Sequence, residues 1–361
     1  MFPNLADTGK MSAEAGSGSV RQRVTMADMN STTQRLLVLL ILTLPVVSAA
    51  EAWPGWRGKA RHLIIAVIDG PRWSETWGEA GTPHIPVMAK ELAPQGTMYT
   101  DFRNAGKTNT NCGHTALTTG VHEQIDNRGE ELPSHPSLLQ GFRDITGLPP
   151  ESTWVVSSKD KLYILGDTKS PEWKGRSLPR VDAGMAIDQG HFGGYRDDPL
   201  TMDLVLKVFA EYHPALMVIN LRRPDSSAHK KDWDGYLAGI AECDRQIGRL
   251  WAAIQADPQL RDQTDLFVTN DHGRHLDGHA DGYINHSDDC EGCRHISLLA
   301  IGLDIAKGKT IATRRNQTDL AVTVAWLAGV DLPAATGKRM DELIGTTAAK
   351  ARHLSAPGLL K

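Results

Sequence analysis

An α/β sandwich, with a mostly parallel central sheet and helices on both faces, is the fold class this sequence predicts. Three observations predict it. Short apolar runs of strand length recur along the chain, segments of helical spacing lie between them, and several runs end in a polar residue capable of chemistry. Runs that are apolar at every position suit strands covered on both faces, as parallel strands are. Strand and helix patterns in alternation suit crossover connections over such a sheet.

The elements follow in order. HLIIAVIDG ends near Asp69 and is followed by the strand-like GTMYTDFR. SLLQGFRDITG reads as a helix, and TWVVSSK returns to the strand pattern. PLTMDLVLKVFAEY is helical, ALMVINLRRPD (215–225) is a strand with a polar end, and DGYLAGIAECDRQIGRLWAAIQAD is a long helix. DLFVTNDHG (265–273) and ISLLAIG are strands, and DLAVTVAWLAGV closes the pattern as a helix. No repeat, low-complexity tract or linker interrupts residues 60–345, so residues 51–361 read as one domain.

The first 50 residues read differently. Arg35, the 12-residue apolar run Leu36–Val47 and the small residues Ser48, Ala49 and Ala50 have the order of a secretory signal peptide. A spanning helix needs about 20 apolar residues, so no permanent membrane span is expected once the leader is cleaved. The expected location is periplasmic or secreted. In that compartment Cys290 and Cys293, with two residues between them, are expected to form a short-range disulfide. A lone CxxC is also half of a zinc knuckle, but the sequence has no second pair to complete it.

Net charge is −4, from 39 basic and 43 acidic residues. No basic surplus exists to neutralise phosphates, so a nucleic-acid-binding surface is not expected. Histidine is unevenly placed. Of 14 in the chain, five (His272, His275, His279, His286, His295) fall within 24 residues, which points to metal chemistry.

Asp69, Asp225, Asp271 and His272 all sit at the carboxyl ends of strand-like runs, where open parallel sheets gather their ligands. Asp225 and His229 are four residues apart and share a face if the segment turns as a helix. Asp271 and His272 are adjacent, and Gly273 permits a sharp turn beneath them. Thr110 has a simpler reading, as the cap of a helix beginning near Asn111.

Taken in order, Asp69, then Thr110-Asn-Cys-Gly-His114-Thr115-Ala-Leu-Thr-Thr119-Gly120, then Pro224-Asp225-Ser-Ser-Ala-His229, then Asp271-His272-Gly273, the set resembles the alkaline phosphatase superfamily. The likeness is to its type I phosphodiesterase/nucleotide pyrophosphatase-like and single-threonine phosphatase branches, and spans roughly residues 60–345. It implies an alkaline phosphatase-like three-layer sandwich and two divalent metal ions, zinc or else manganese. One ion would be held by Asp225, His229 and a late histidine, the other by Asp69, Thr110, Asp271 and His272. His286 is the chosen late ligand, with His279 as the alternative. His275 and His295 read as solvent-facing or core residues.

The resemblance makes Thr110 the nucleophile of a covalent phosphothreonine mechanism acting on a small-molecule phosphate ester. SSKDKLYIL resembles the stretch that supplies cations to the substrate in single-threonine phosphatases, which assigns Lys159 and Lys161 to substrate and favours a monoester dianion. Cys112 and Gly113 stand where the phosphodiesterase branch carries Asn and Pro, and Asn111 is the substitute phosphate contact.

The rivals are weaker. A sulfatase needs a maturation signal that Asn-Cys-Gly-His after Thr110 does not provide. A cofactor-independent phosphoglycerate mutase needs a large inserted domain, and a phosphoethanolamine transferase needs several membrane helices. A non-catalytic exported protein that keeps structural metal is the reading from another class.

Overall fold

The computed structural model describes residues 53–185 and 193–345. The expected leader lies outside the described residues. Those residues fall within one compact unit, Ala52–Lys361.

Its centre is a sheet of nine strands among the described residues. They are β1 (His62–Ile68), β2 (Thr97–Arg103), β3 (Thr153–Ser157), β4 (Arg180–Ala183), β5 (Leu216–Leu221), β6 (Thr264–Asn270), β7 (His295–Gly302), β8 (Lys309–Ile311) and β9 (Arg315–Asn316). Their order is β4-β3-β5-β1-β6-β7-β2-β8, with β9 also on β2. Only β7 runs against its neighbours, pairing antiparallel with both β6 and β2. ISLLAIG has the unbroken apolar pattern of a parallel strand because that pattern reports cover on both faces, not direction.

Each strand-like run of the sequence forms a strand. β4, β8 and β9 went unforeseen, being short, edge-lying and only partly buried, with too few apolar residues to signal.

The helices are α1 (Thr110–Thr119), α2 (Leu138–Thr146), α3 (Asp198–Tyr212), α4 (Arg223–His229), α5 (Trp233–Ala256), the single turn α6 (Glu291–Arg294) and α7 (Gln317–Ala328). Capping fixes their starts. Ser137 and Gln140 form a reciprocal capping box on α2, and Asn316 with Asp319 forms another on α7. Alternation along β1 divides the core into two layers. Leu63, Ile65 and Val67 pack with Leu117, Phe142 and Leu320 on one face. Ile64, Ala66 and Ile68 pack with Met202, Phe209 and Ile247 on the other. The result is the three-layer sandwich expected of this sequence, with α1, α2 and α7 opposite α3 and α5. Burial on both faces is why the central strands read as unbroken apolar runs.

Candidate functional site

Strand register sets the site. Ile68 of β1 lies opposite Leu221 of β5 and Asn270 of β6, and Ser157 of β3 lies opposite Asn220. Four adjacent parallel strands therefore end level, and the residues just beyond them (Lys159, Asp225, Asp69 and Asp271) meet at one edge.

Asp69, Asp271 and His272 form the first cluster, all fully buried, with one ligand atom from each within 4.8 Å of the others. Asp271 Oδ1 accepts from the backbone N–H of Gly70 (3.2 Å) and His272 (2.9 Å). Asp69 Oδ2 accepts from Asn220 Nδ2 at 3.2 Å, and His272 Nδ1 donates to the Gly273 carbonyl at 2.8 Å. That leaves Asp69 Oδ1, Asp271 Oδ2 and His272 Nε2 buried without a hydrogen bond. Three orphaned acceptors converging on one point are what a bound cation satisfies, and the Nδ1 bond fixes the tautomer that aims Nε2 inward. Burial, then repulsion from Asp69, pushes the Asp271 carboxyl well above the usual carboxylate range. Gly113 of α1 completes the packing. A Cβ there would lie 2.5 Å from the Asp271 carbonyl oxygen, so the helix reaches the carboxylate only with glycine at this position.

Asp225, His229 and His286 form the second cluster, also within 4.8 Å. Pro224 lies in the first turn of α4, and the helix places Asp225 and His229 on one face. His229 Nε2 lies 3.2 Å from Asp225 Oδ1 and 3.2 Å from His286 Nε2. His286 donates its other ring nitrogen to the Thr108 carbonyl at 2.8 Å. Of the two late histidines considered, His286 joins this cluster and His279 lies elsewhere.

Lys159, fully buried, connects the clusters. Its Nζ lies 2.6 Å from Asp225 Oδ2, 2.9 Å from Asp69 Oδ2 and 3.1 Å from Thr110 Oγ1. Burial works against its charge, but Asp225 and Asp69 hold its pKa well above the ordinary lysine value. Burial likewise opposes ionisation of Asp225, yet Lys159, the two histidines and Arg274 keep it well below the usual range.

Thr110 is the first residue of α1, but it is not the cap. Asn109 takes that role, accepting from the Cys112 N–H at 3.0 Å. The Thr110 hydroxyl is therefore free for Lys159, at a helix N-terminus that favours anions. Asn111 turns toward the 126–127 loop instead. Its side-chain amide donates to the Asp126 carbonyl and its backbone N–H to Asn127 Oδ1. Asn127 in turn accepts from Lys161 Nζ at 3.0 Å. A cleft of about 600 Å³ opens over these groups, lined by Thr110, Asn127, Lys159, Lys161, Asp225, His229 and His286, with Tyr195, Arg222 and Lys230 at its side.

Burial, and then the neighbouring Lys159 charge, lowers the Lys161 pKa to about 8. Its cation is thus present below pH 8 and lost as pH rises through that value. If Lys161 binds substrate phosphate, KM for a monoester rises above pH 8, and Lys161→Ala abolishes that step. A pH–KM profile of both proteins checks it.

Several residues here escaped the sequence reading. Arg274, fully buried, donates to Asp225 Oδ1 at 2.5 Å and to the carbonyls of Tyr283 and Ile284. Its signal was a charged residue directly after Asp-His-Gly. Asn220, which holds Asp69 and also donates to His114 Nε2 at 3.2 Å, was visible as a polar residue near the end of an apolar strand. Gly273 has a different role from the one foreseen. It sits where a Cβ would lie 2.0 Å from the Gly292 carbonyl, so close packing demands glycine there.

The expected disulfide is also corrected. Cys290 and Cys293 are free thiols, as are Cys112 and Cys243. Both turn toward the Asp288 carboxylate, which hydrogen-bonds each of them. Of the two readings open to His275 and His295, solvent-facing or core, both take the inward one. His275 is buried beside that carboxylate, and His295 stacks on Trp73 with ring centroids 4.4 Å apart.

Residues 140–276 match the family model for type I phosphodiesterase / nucleotide pyrophosphatase, a span holding both lysines, Asp225, His229, Asp271 and His272. The chain is 30% identical over 282 residues to a 2,3-bisphosphoglycerate-independent phosphoglycerate mutase of Halobacterium salinarum, covering 76% of this chain and 48% of the mutase. It is 35% identical over 98 residues to arylsulfatase K of Xenopus laevis, 27% of this chain and 18% of that one. The chain thus spans about half the mutase's length and a fifth of the sulfatase's. Among solved structures, murine ectonucleotide pyrophosphatase/phosphodiesterase 5 superposes with TM-score 0.57 at 14% identity, over 79% of this chain and 100% of that one. A phosphonate monoester hydrolase from Silicibacter pomeroyi gives TM-score 0.57 at 15% identity, over 83% and 78%. Residues 140–276 thus match the type I phosphodiesterase / nucleotide pyrophosphatase model, and the chain shares its fold with these enzymes and with a protein in the alkaline phosphatase superfamily from Vibrio parahaemolyticus.

Proposed function

We propose that the protein is an exported, two-metal hydrolase of phosphoric esters, with Thr110 as nucleophile and monoesters as the favoured substrates. The observation that carries this is the placement of the Thr110 hydroxyl. It lies 3.1 Å from the Lys159 ammonium, which itself bridges two clusters of carboxylate and imidazole ligands at the floor of an open cleft. Asp69, Asp271 and His272 are proposed to hold one divalent ion with Thr110, and Asp225, His229 and His286 the other. Zinc suits His and Asp in such small sets, and manganese is the second choice. Ions so bound would supply the charge that lets the hydroxyl ionise and that balances the departing oxygen.

The side chains do the rest. The Thr110 hydroxyl releases its proton to water, Oγ bonds to phosphorus as the ester P–O bond breaks, and the departing alkoxide takes a proton back from water to leave as the alcohol. Water then displaces Thr110 from phosphorus, releasing inorganic phosphate and restoring the hydroxyl. Lys159 keeps its proton and donates a hydrogen bond to the attacking oxygen. Lys161, Arg222 and Lys230 place positive charge where the non-bridging phosphate oxygens lie, and a dianionic monoester gains most from it. AMP bound to murine ectonucleotide pyrophosphatase/phosphodiesterase 5 supports a small phosphate ester as the ligand class. The signal-peptide-like order of Arg35, the apolar run 36–47 and Ser48, Ala49 and Ala50 supports export. Among the described residues no helix is long and apolar enough to cross a membrane.

The test compares p-nitrophenyl phosphate with bis-p-nitrophenyl phosphate. Lys161→Ala is expected to lower kcat/KM for the monoester by about 10–100-fold and for the diester by less than about 3-fold. An equal loss on both esters removes Lys161 from monoester recognition. A wild-type preference for the diester reverses the substrate assignment and leaves the metal ligands in place.

A further inference from the structure

The loop joining β6 to β7 carries a donor cluster that the phosphoryl chemistry does not use. One donor atom from each of His275, His279, Asp288 and Cys290 lies within 4.8 Å of the others. Asp288 Oδ2 is 3.3 Å from His275 Nε2 and 2.7 Å from His279 Nε2. Donor atoms around a tetrahedral zinc stand about 3.3–3.8 Å apart, so small side-chain adjustments close the shell. The histidine spacing agrees, with three residues between His275 and His279.

His275 supplies an independent sign of a missing partner. It is 7% exposed and its Nε2 is buried with no hydrogen bond. Its Nδ1 is held by Asp281 at 2.8 Å, the arrangement that orients a metal-binding imidazole through a carboxylate behind it. Cys290, the first cysteine of the half-knuckle seen in the sequence, thus stands with two histidines and an aspartate of the same loop.

We propose that His275, His279, Asp288 and Cys290 hold a zinc ion, distinct from the two catalytic clusters, that fixes the β6–β7 loop. Binding releases the Cys290 thiol proton to water, and nothing is oxidised. Cys293, buried and hydrogen-bonded to Cys290 and Asp288, lies beside the ion. The site bears on the cleft through short links. The Thr108 hydroxyl donates to the Asp288 carbonyl at 2.7 Å, and the Thr108 carbonyl accepts from His286 at 2.8 Å. The Gly273 N–H donates to the Cys293 carbonyl at 2.8 Å, and the His275 N–H to the Asn285 carbonyl at 3.1 Å. A zinc here therefore pins the segments that present His286, Asp271-His272 and the chain just before Thr110.

The test is metal content and cobalt spectroscopy on the purified full chain. Replacing zinc with Co²⁺ is expected to give a thiolate-to-cobalt charge-transfer band, which the cysteine-free catalytic clusters cannot produce. Cys290→Ser and His279→Ala should each lose this band and one equivalent of zinc, while Asp225→Asn keeps the band. His279 is half exposed, so its variant carries the test if Cys290→Ser fails to fold. Absence of the band in the wild type, its persistence in His279→Ala, or recovery of Cys290 and Cys293 as a disulfide overturns the proposal. None of these readouts depends on ester turnover, so its failure is distinguishable from failure of the hydrolase reading.

Discussion

Thr110→Ala is expected to leave a folded protein with its full metal content and to lower kcat on p-nitrophenyl phosphate by about 10⁴-fold or more. The size follows from the route. Without Oγ there is no covalent step, and only direct attack by water in a pre-organised site remains. The fold should tolerate the change, because the hydroxyl does not cap α1; Asn109 does. Lys159 loses one acceptor but keeps Asp69 and Asp225, so the stability loss is held to about 1–2 kcal/mol. Thr110→Ser keeps the oxygen and should retain most of the rate. Steady-state kinetics, metal analysis and acid-quench trapping of phosphoprotein check this together. A Thr110→Ala protein within about 10-fold of the wild type would sink the nucleophile assignment. Metal binding without turnover in the wild type would favour the non-catalytic reading.

The fold was legible because its central strands are buried on both faces. HLIIAVI, LMVINL and TDLFVTN each hold a continuous apolar stretch (LIIAVI, LMVI and LFV), and the chemistry-bearing residues follow shortly after it stops. The direction of β7 was not legible, since burial has no sign along the chain. The two clusters were legible as ordered motifs, because each holds a pair that is local in sequence: Asp225 with His229, Asp271 with His272. What escaped were residues whose role exists only across the sheet. Asn220 and Arg274 act on Asp69 and Asp225 from 151 and 49 residues away. Cys290 and Cys293 were misread for the opposite reason. Their spacing and the inferred compartment argued for a bond to each other, while His275, His279 and Asp288 in the same loop gather around them. Asn111 lay in a recognisable motif, but helix geometry turns its amide toward Asp126.

The two buried carboxylates Asp225 and Asp271 should respond oppositely to neutralisation, and the contrast tests the electrostatics of the site. Asp225 is the anion on which two buried cations converge, Lys159 Nζ at 2.6 Å and Arg274 Nη1 at 2.5 Å. Asp225→Asn leaves Arg274 with no carboxylate, only two carbonyls and the His229 ring, and Lys159 with a single carboxylate. Removing one partner of such a buried set costs about 3–5 kcal/mol, roughly 5–8 °C in Tm for a chain of this size. Asp271 is held by two backbone N–H groups on one oxygen and by no hydrogen bond on the other. Burial and Asp69 raise its pKa, so the fold binds its proton more tightly than the unfolded chain does. In chelator, then, wild-type stability falls as pH rises from about 4, the unfolded carboxyl value, toward the raised folded value. Asp271→Asn keeps the accepting oxygen and removes that slope, so in EDTA at neutral pH it is neutral or stabilising. With zinc restored the order changes, because the same substitution removes a ligand and the ligand-induced rise in Tm shrinks. Thermal melts of the wild type and both variants, with EDTA and with zinc, read all of this. Equal destabilisation by both substitutions in EDTA would mean that Asp271 is ionised and paired there, contrary to its orphaned oxygen.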